Sequence, residues 1–472
     1  MKSGPGVRGT GWLSGMLLAL ALLAGGCAGA TDGDAPLVAP KNIIILFADG
    51  AAPAQWEFGR YTARHLRNEA FAVTDVVFRQ GTLGLLSTTA LNAFVTDSAA
   101  GASALSTGHK VNNFVVSMAP DGTRHPTLMQ VAKSRGKRIG LVTTAAIHDA
   151  SPAAFSVHAA HRGHSQSIVD EYLKLEPDVL MGGGAYFFRP AAAGGGRKDA
   201  LDVVAAFAAR GWAVVRDTAA LEAAQAVRLL GLFAEGDMSL ELDRDAGREP
   251  STAQMAAAAL RTLERDSPNG FVLFVENENT DTAGHLNDAA ALMHALWAFD
   301  KAVQVALDFQ KRHADTLVIV VADHETGGLS PTYALRDFSP RSPGYLSADA
   351  QNLKMLDGIS LSIARAADRL GPQPSAAALD ALVAEHFPGF RLDADLREAL
   401  LRQQPLERNF TNPRAAALSR MVSRQTGVYW GTSGHTPEPV AVGALGPGAR
   451  LFHGYQDNAD FGRHLHRLLG AR

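Results

Sequence analysis

The feature that most constrains this chain is an alternation of two hydrophobic periods. From Lys41 onward, short continuous apolar runs take turns with longer stretches of helical spacing. The first run is NIIILFADG, which ends in Asp-Gly. Comparable runs begin at Arg138 (RIGLVTTA), Pro177 (PDVLMGGG), Trp212 (WAVVRD), Gly270 (GFVLFVEN), Thr316 (TLVIVVADHE) and Glu438 (EPVAVGALG). A strand covered on both faces reads as a continuous apolar run, because neither face meets water. Between the runs, TAQMAAAALRTLERD and DAAALMHALWAFDKAVQVALDFQKRH repeat apolar residues at helical spacing. Strand, helix, strand at this rhythm predicts an α/β fold, with a mostly parallel central sheet and helices on both faces. The core is affordable at 47% apolar and 19% charged residues, and 472 residues permit one large domain or two ordinary ones. A net charge of −3 with no basic stripe argues against nucleic-acid binding by charge.

The ends of the chain read differently. Residues 1–27 hold a positive start (Lys2, Arg8), the run WLSGMLLALALLA, and then LAGGC. The run is too short and wrongly flanked for a membrane span. It resembles a bacterial lipoprotein signal, in which Cys27 would be lipidated and become the new N-terminus. The alternative is an ordinary signal peptide cut near Ala28 or Ala30. Either reading makes the mature chain an exported protein of the periplasm or cell envelope. Cys27 is the single cysteine, so no disulfide can form. Residues 28–40, small, polar and proline-bearing, read as a flexible tether. The domain then runs over 41–472. Within it, 329–425 breaks the rhythm and reads as a helical or irregular insertion capping the site or an oligomer interface.

Ligands in open α/β sheets bind outside the carboxyl ends of the strands. Those ends carry a recurrent chemistry here. Asp49 follows the first run, and Asp149 and Ser151 follow the second. Glu276, Asp281 and His285 follow the run from Gly270; Asp323 and His324 follow the run from Thr316. His435 stands just before the last. Singly, each of these is also an ordinary turn former or helix cap. Together they would crowd one rim with more carboxylate charge than a dry pocket tolerates without cations. Imidazole with carboxylate suits zinc, and carboxylate with hydroxyl oxygen suits magnesium. Three further histidines, His158, His161 and His164, have no acid cluster beside them and read as helix-surface or packing residues.

The segments VTDSAAGASALSTGHKVNN, VENENTDTAGHLND, VVADHETGG and SGHTPEPV, with ILFADGAAP before them, resemble the signature blocks of the alkaline phosphatase family. The resemblance runs from about Lys41 to the C-terminus. It implies hydrolysis of phosphate monoesters of broad specificity, two Zn2+ and one Mg2+, and a homodimer. One zinc would be held by Asp281, His285 and His435, and the second by Asp49, Asp323 and His324. The magnesium would be held by Asp49, Ser151 and Glu276, with Asp149 binding its waters. Arg162, thirteen residues after Asp149, would clamp phosphate. Two positions depart from the common pattern: Thr282 stands where relatives often carry Lys, His or Trp, and Asn277 replaces the commoner glycine.

In FVTDSAAGASALSTGHK, Ser98 is the expected nucleophile, giving a phosphoserine that a second displacement hydrolyses. A free serine hydroxyl is too weak for this without activation. A helix N-terminus adds a positive dipole end for the phosphate oxygens. Asp97 would orient Arg162, and the small residues that follow would let the helix lie close under the cations. Two rivals share the superfamily or its ligands: a phosphodiesterase or nucleotide pyrophosphatase, which generally lacks the third cation site, and an inactive phosphate-binding lipoprotein. A sulfatase would need a cysteine- or serine-based formylglycine motif, which Cys27 cannot supply.

Overall fold

The strand-type runs become strands, and their register decides what lies at the rim. The computed structural model describes Met1 and residues 38–335, 344–406 and 412–471. Cys27, the signal-like segment and most of the tether lie outside the described residues. The strands of the first two-thirds are β1 (Asn42–Ala48), β2 (Thr82–Ser87), β3 (Arg138–Ala146), β4 (Val179–Gly183), β5 (Ala213–Val215), β6 (Leu229–Leu232), β7 (Phe271–Asn277) and β8 (Thr316–Val321). Short ribbon strands follow: β9 (Glu325–Thr326), β10 (Leu329–Pro331), β11 (Tyr333–Leu335), β12 (Tyr345–Ser347), β13 (Val428–Trp430) and β14 (His435–Thr436). The chain then returns with β15 (Val440–Leu445) and β16 (Gly454–Asp457).

Ten of these strands make one sheet, in the order β16-β2-β15-β8-β1-β7-β3-β4-β6-β5. Only β15 runs against its neighbours; it is antiparallel to both β8 and β2. Three strands were not visible as apolar runs. β6 is only four residues long, β16 is the polar GYQD at the sheet edge, and β2 leaves Leu83 and Leu85 exposed.

The centre of the sheet is fully buried. Every residue of β1, β7 and β8 is shielded from solvent. Parallel pairing sets Phe47 opposite Glu276 on one side and opposite Val321 on the other. β3 sets Val142 opposite Val275, which brings Thr143 level with Glu276. Asp49 and Asp323 therefore leave the sheet side by side, at the same ends as Glu276. The helix Ala289–Arg312 lies along the sheet with sixteen of its residues buried, and Asp288 caps it by accepting from Ala291 N–H at 3.0 Å.

The stretch 329–425 leaves and re-enters through one ribbon, in which Leu329 pairs with Trp430 and Pro331 with Val428. It carries the helices Ala350–Asp357, Ile363–Leu370, Ala376–His386, Ala394–Leu401 and Pro413–Thr426. Ile363–Leu370 shows why a polar-looking segment folds: Ile363, Ala366, Ala367 and Leu370 form one buried face. Its first turn is tied to the main body, because Asp288 Oδ2 accepts from Ile363 N–H at 2.6 Å.

Candidate active site

The floor of the site is the helix Ser98–Thr107, all ten residues of which are buried. Small side chains are a packing requirement there. A Cβ on Gly101 would lie 3.0 Å from Asp323 Cβ. Asp97 caps the helix, its Oδ1 accepting from Ala100 N–H and from Phe114 N–H, both at 3.0 Å. Its other oxygen is free for a second task. Arg162 Nη1 donates to Asp97 Oδ2 at 3.2 Å, and Nη2 donates to Asp149 at 3.0 Å. The helix cap and the arginine partner are thus the same residue. Ser98 Oγ, on the first helical turn, lies 3.2 Å from His324 Nε2.

Three groups of donors surround that serine. In the first, ligand atoms of Asp281, His285 and His435 all lie within 4.8 Å of one another. Asp281 and His285 share a face of the helix Asn279–His285 and meet at 3.1 Å. His285 Nδ1 is paired with Ser433 O at 2.7 Å, and His435 Nδ1 with Thr96 O at 2.9 Å. Carbonyls accept only, so both Nδ1 atoms carry hydrogen, and the two Nε2 atoms stand 3.2 Å apart. Burial lowers His285, but the hydrogen bond to Asp281 and its charge outweigh burial and push the imidazole up to about 9, so a cation binding there would displace its second proton.

In the second group, atoms of Asp49, Asp281 and His324 gather within the same limit. Asp323 Oδ2 approaches His324 Nε2 at 3.2 Å, so the expected Asp49, Asp323 and His324 do meet. Asp281 stands between the two groups and belongs to both. The third group joins Ser151, whose hydroxyl donates to Asp49 Oδ2 at 3.2 Å, to Glu276, which accepts from the Thr143 hydroxyl. Asp149 borders this group, but its carboxylate is engaged with Arg162.

The electrostatics call for positive charge. Burial, then repulsion from Asp323, Asp281 and Glu276, holds Asp49 well above the usual carboxylate range. Burial pushes Asp323 up to about 8, with Asp281 adding to it. Burial also pushes Glu276 up to about 8, against the hydrogen bond from Thr143. Asp281 goes the other way: burial raises it, but the hydrogen bond and charge of His285 outweigh burial and hold it low. His324 is kept well below its ordinary value by burial and by His435, so it is neutral and fit to be a ligand. Among the described residues, Asp49 Oδ1 and Asp323 Oδ2 are buried with no hydrogen-bond partner. An orphan carboxylate oxygen is expensive unless a cation takes it. The donor set therefore fits bound cations.

Several contributors escaped the sequence reading. Thr143 and Thr326 are plain threonines in strands; Thr326 donates to Asp281 and lies 3.2 Å from His324 Nδ1. Glu278, beside Asp281, is pushed well above the usual range by burial and by Asp281, and it accepts from the Thr282 hydroxyl. Glu325 is the anchor of the rim ribbon, accepting from Gln55 Nε2, Gly328 N–H and the Thr436 hydroxyl. Asn277 completes β7, and its amide donates to Thr252 Oγ1 at 3.2 Å. Of the histidine trio His158, His161 and His164, expected as helix-surface or packing residues, His158 is a packing residue, and all three follow the helix Ala150–Ser156 instead of lying on it. Val157 leaves the helix in extended conformation. His158 is buried against His125 O at 2.7 Å, and His161 stacks on Phe114.

Comparison with known proteins agrees with this geometry. The family model described as alkaline phosphatase matches residues 40–471. Alkaline phosphatase 3 of Bacillus subtilis (strain 168) is 30% identical over 449 residues, spanning 91% of this chain and 89% of that protein. The crystal structure of Thermus thermophilus alkaline phosphatase superposes with a TM-score of 0.83 at 30% identity, over 94% of this chain and 95% of that one. The cold-active alkaline phosphatase of a psychrophilic Shewanella sp. gives 0.75 at 30% identity, over 91% and 99%. By its matched span and its fold, this chain belongs to the alkaline phosphatase family, metal-dependent hydrolases that act on phosphate monoesters.

Proposed function

We propose that the chain hydrolyses phosphate monoesters by two successive displacements at Ser98. The reading assigns one zinc ion to Asp281, His285 and His435, a second to Asp49, Asp323 and His324, and a magnesium ion to Asp49, Ser151 and Glu276. The observation that carries it is the convergence of these donors on a buried serine, with two carboxylate oxygens left unpaired. Bound cations would neutralise the carboxylates and supply Lewis acidity to the phosphoryl group and its leaving oxygen.

The protein's own groups set the geometry. Ser98 Oγ attacks phosphorus and the ester oxygen departs on the opposite side, leaving phosphoserine and a free alcohol. Water then attacks the phosphoserine from the vacated side, which releases phosphate and restores the hydroxyl. The first turn of the Ser98 helix offers its positive dipole end to the phosphoryl oxygens. Arg162, fixed from behind by Asp97 and Asp149, offers its remaining N–H groups to two of them. The third donor group, around Ser151 and Glu276, favours monoester over diester chemistry. The test is turnover of p-nitrophenyl phosphate against bis(p-nitrophenyl) phosphate by the cation-loaded protein. The monoester should win by orders of magnitude. A preference for the diester would overturn the reading.

A further inference from the structure

We propose that Phe114 and His161 form a stacking platform for a planar aromatic group on the alcohol half of the substrate, a nucleobase or an aryl ring. The proposal rests on the monoesterase reading above and adds a preference to it. Phe114 is 53% exposed and sits at φ 68°, in the left-handed region. A bulky aromatic residue is a rare occupant of that region, and such strain is tolerated where surroundings impose it. The turn alone is served best by glycine, so the ring needs another reason to be there.

Its surroundings are the phosphate-binding groups themselves. Phe114 N–H donates to Asp97 Oδ1 at 3.0 Å, and Phe114 C=O accepts from Arg162 N–H at 2.8 Å. One residue earlier, Asn113 Oδ1 accepts from Asp97 N–H and Asn113 Nδ2 donates to Val95 O, both at 3.0 Å. The Phe114 backbone therefore cannot drift from the Asp97–Arg162 pair. His161, the neighbour of Arg162, lies parallel to the Phe114 ring at 8°, with centroids 5.6 Å apart. Its own ring is pinned because Nδ1 accepts from Gly163 N–H at 3.0 Å. Both side chains face solvent. In-line attack by the buried Ser98 sends the leaving oxygen outward, toward the exposed side of the site. The rim on the Arg162 side is aromatic and rigid, which is what a flat leaving group needs and a small aliphatic one cannot use.

The test compares esters whose leaving alkoxides match. One pair is adenosine 5′-phosphate against ribose 5-phosphate; the other is benzyl phosphate against cyclohexylmethyl phosphate. The kcat/KM ratio within each pair reports the ring and cancels any loss common to both members. We expect a ratio of roughly 10 for the parent in at least one pair, from stacking of ordinary strength. Phe114→Gly, which suits the backbone, should bring it to about 1–2. Phe114→Tyr should keep it. A high ratio in the first pair alone identifies a nucleobase site, and in both pairs a site for any arene. Ratios near 1 in the parent, with ribose 5-phosphate hydrolysed, overturn the platform and spare the monoesterase reading. A ratio that survives Phe114→Gly also overturns it. If no monoester is hydrolysed, both readings fall.

Discussion

Replacing Arg162 by alanine should separate phosphate binding from chemistry. Each terminal nitrogen of this guanidinium carries two N–H groups. One on Nη1 is spent on Asp97 at 3.2 Å, and one on Nη2 is shared by the two Asp149 oxygens at 3.0 and 3.3 Å, which leaves one on each for phosphate. Burial works against the charge, yet Asp149 and Asp97 hold the group protonated far above any working pH. A charge-assisted hydrogen bond is worth about 1.5–3 kcal/mol, so two offer at least about 3 kcal/mol gross. Water admitted to the vacated space returns part of that. The net loss should be about 2–3 kcal/mol, a roughly 30- to 150-fold weaker grip on phosphate. Inorganic phosphate binds through the same oxygens as substrate, so its inhibition constant against p-nitrophenyl phosphate is the assay. Arg162→Lys should recover only part of the loss, because a point charge cannot reproduce the fork. If product release limits turnover, kcat/KM should fall further than kcat. An unchanged phosphate inhibition constant in a folded Arg162→Ala protein would refute this account of Arg162.

Other perturbations test neighbouring links. Ser98→Ala should leave no acid-stable phosphoenzyme after incubation with labelled substrate; labelled phosphoserine recovered from the variant would show that another serine is attacked. Chelation should destabilise the protein in a pH-dependent way. In the cation-free pocket Glu276 and Asp323 are pushed up to about 8, so the stability linked to their protonation is present near pH 4 and lost as pH rises through 8. Melting curves of chelated protein should therefore fall between pH 5 and 9 more steeply than those of reloaded protein, and parallel slopes would count against the cation sites. Asp300 offers a control away from the site. Burial pushes it up to about 6 despite its hydrogen bonds from Val73 N–H and Gln304. The parent should lose up to about 3 kcal/mol relative to Asp300→Asn between pH 4 and pH 8, read from unfolding free energies at both. A pH-independent difference would discard that assignment.

What could be read in advance follows from where period and register carry information. Buried parallel strands announce themselves as apolar runs, and the residue ending each run is placed by the sheet. That is why Asp49, Glu276 and Asp323 are legible in the sequence as one rim. Thr143 and Thr326 were invisible, since a threonine in a strand is ordinary until register sets it against Glu276 or Asp281. Pairing across long separations was equally hidden. Nothing local indicates that His435 reaches Thr96 O, or that Asp281 would stand between two donor groups. For His158, His161 and His164 the sequence leaves helix surface and packing both open, because apolar spacing gives no stop signal where Val157 turns extended. The insertion looks polar because helices such as Ile363–Leu370 bury only one narrow face.

The antiparallel strand β15 has a consequence for synthesis. It is wedged between β2 and β8, and β16 takes the other side of β2. Until the final residues exist, β2 has no partner in the sheet, and Leu83 and Leu85 lie on a bare edge. The same late segment supplies His435, so the first donor group cannot close either. A nascent chain would carry Ser98 and Arg162 from early on, yet lack the first donor group and stay prone to association until the segment from His435 to Asp457 has been made. Activity would then report on the arrival of that one segment: a chain stopped just before His435 would hold most of the core and none of the function.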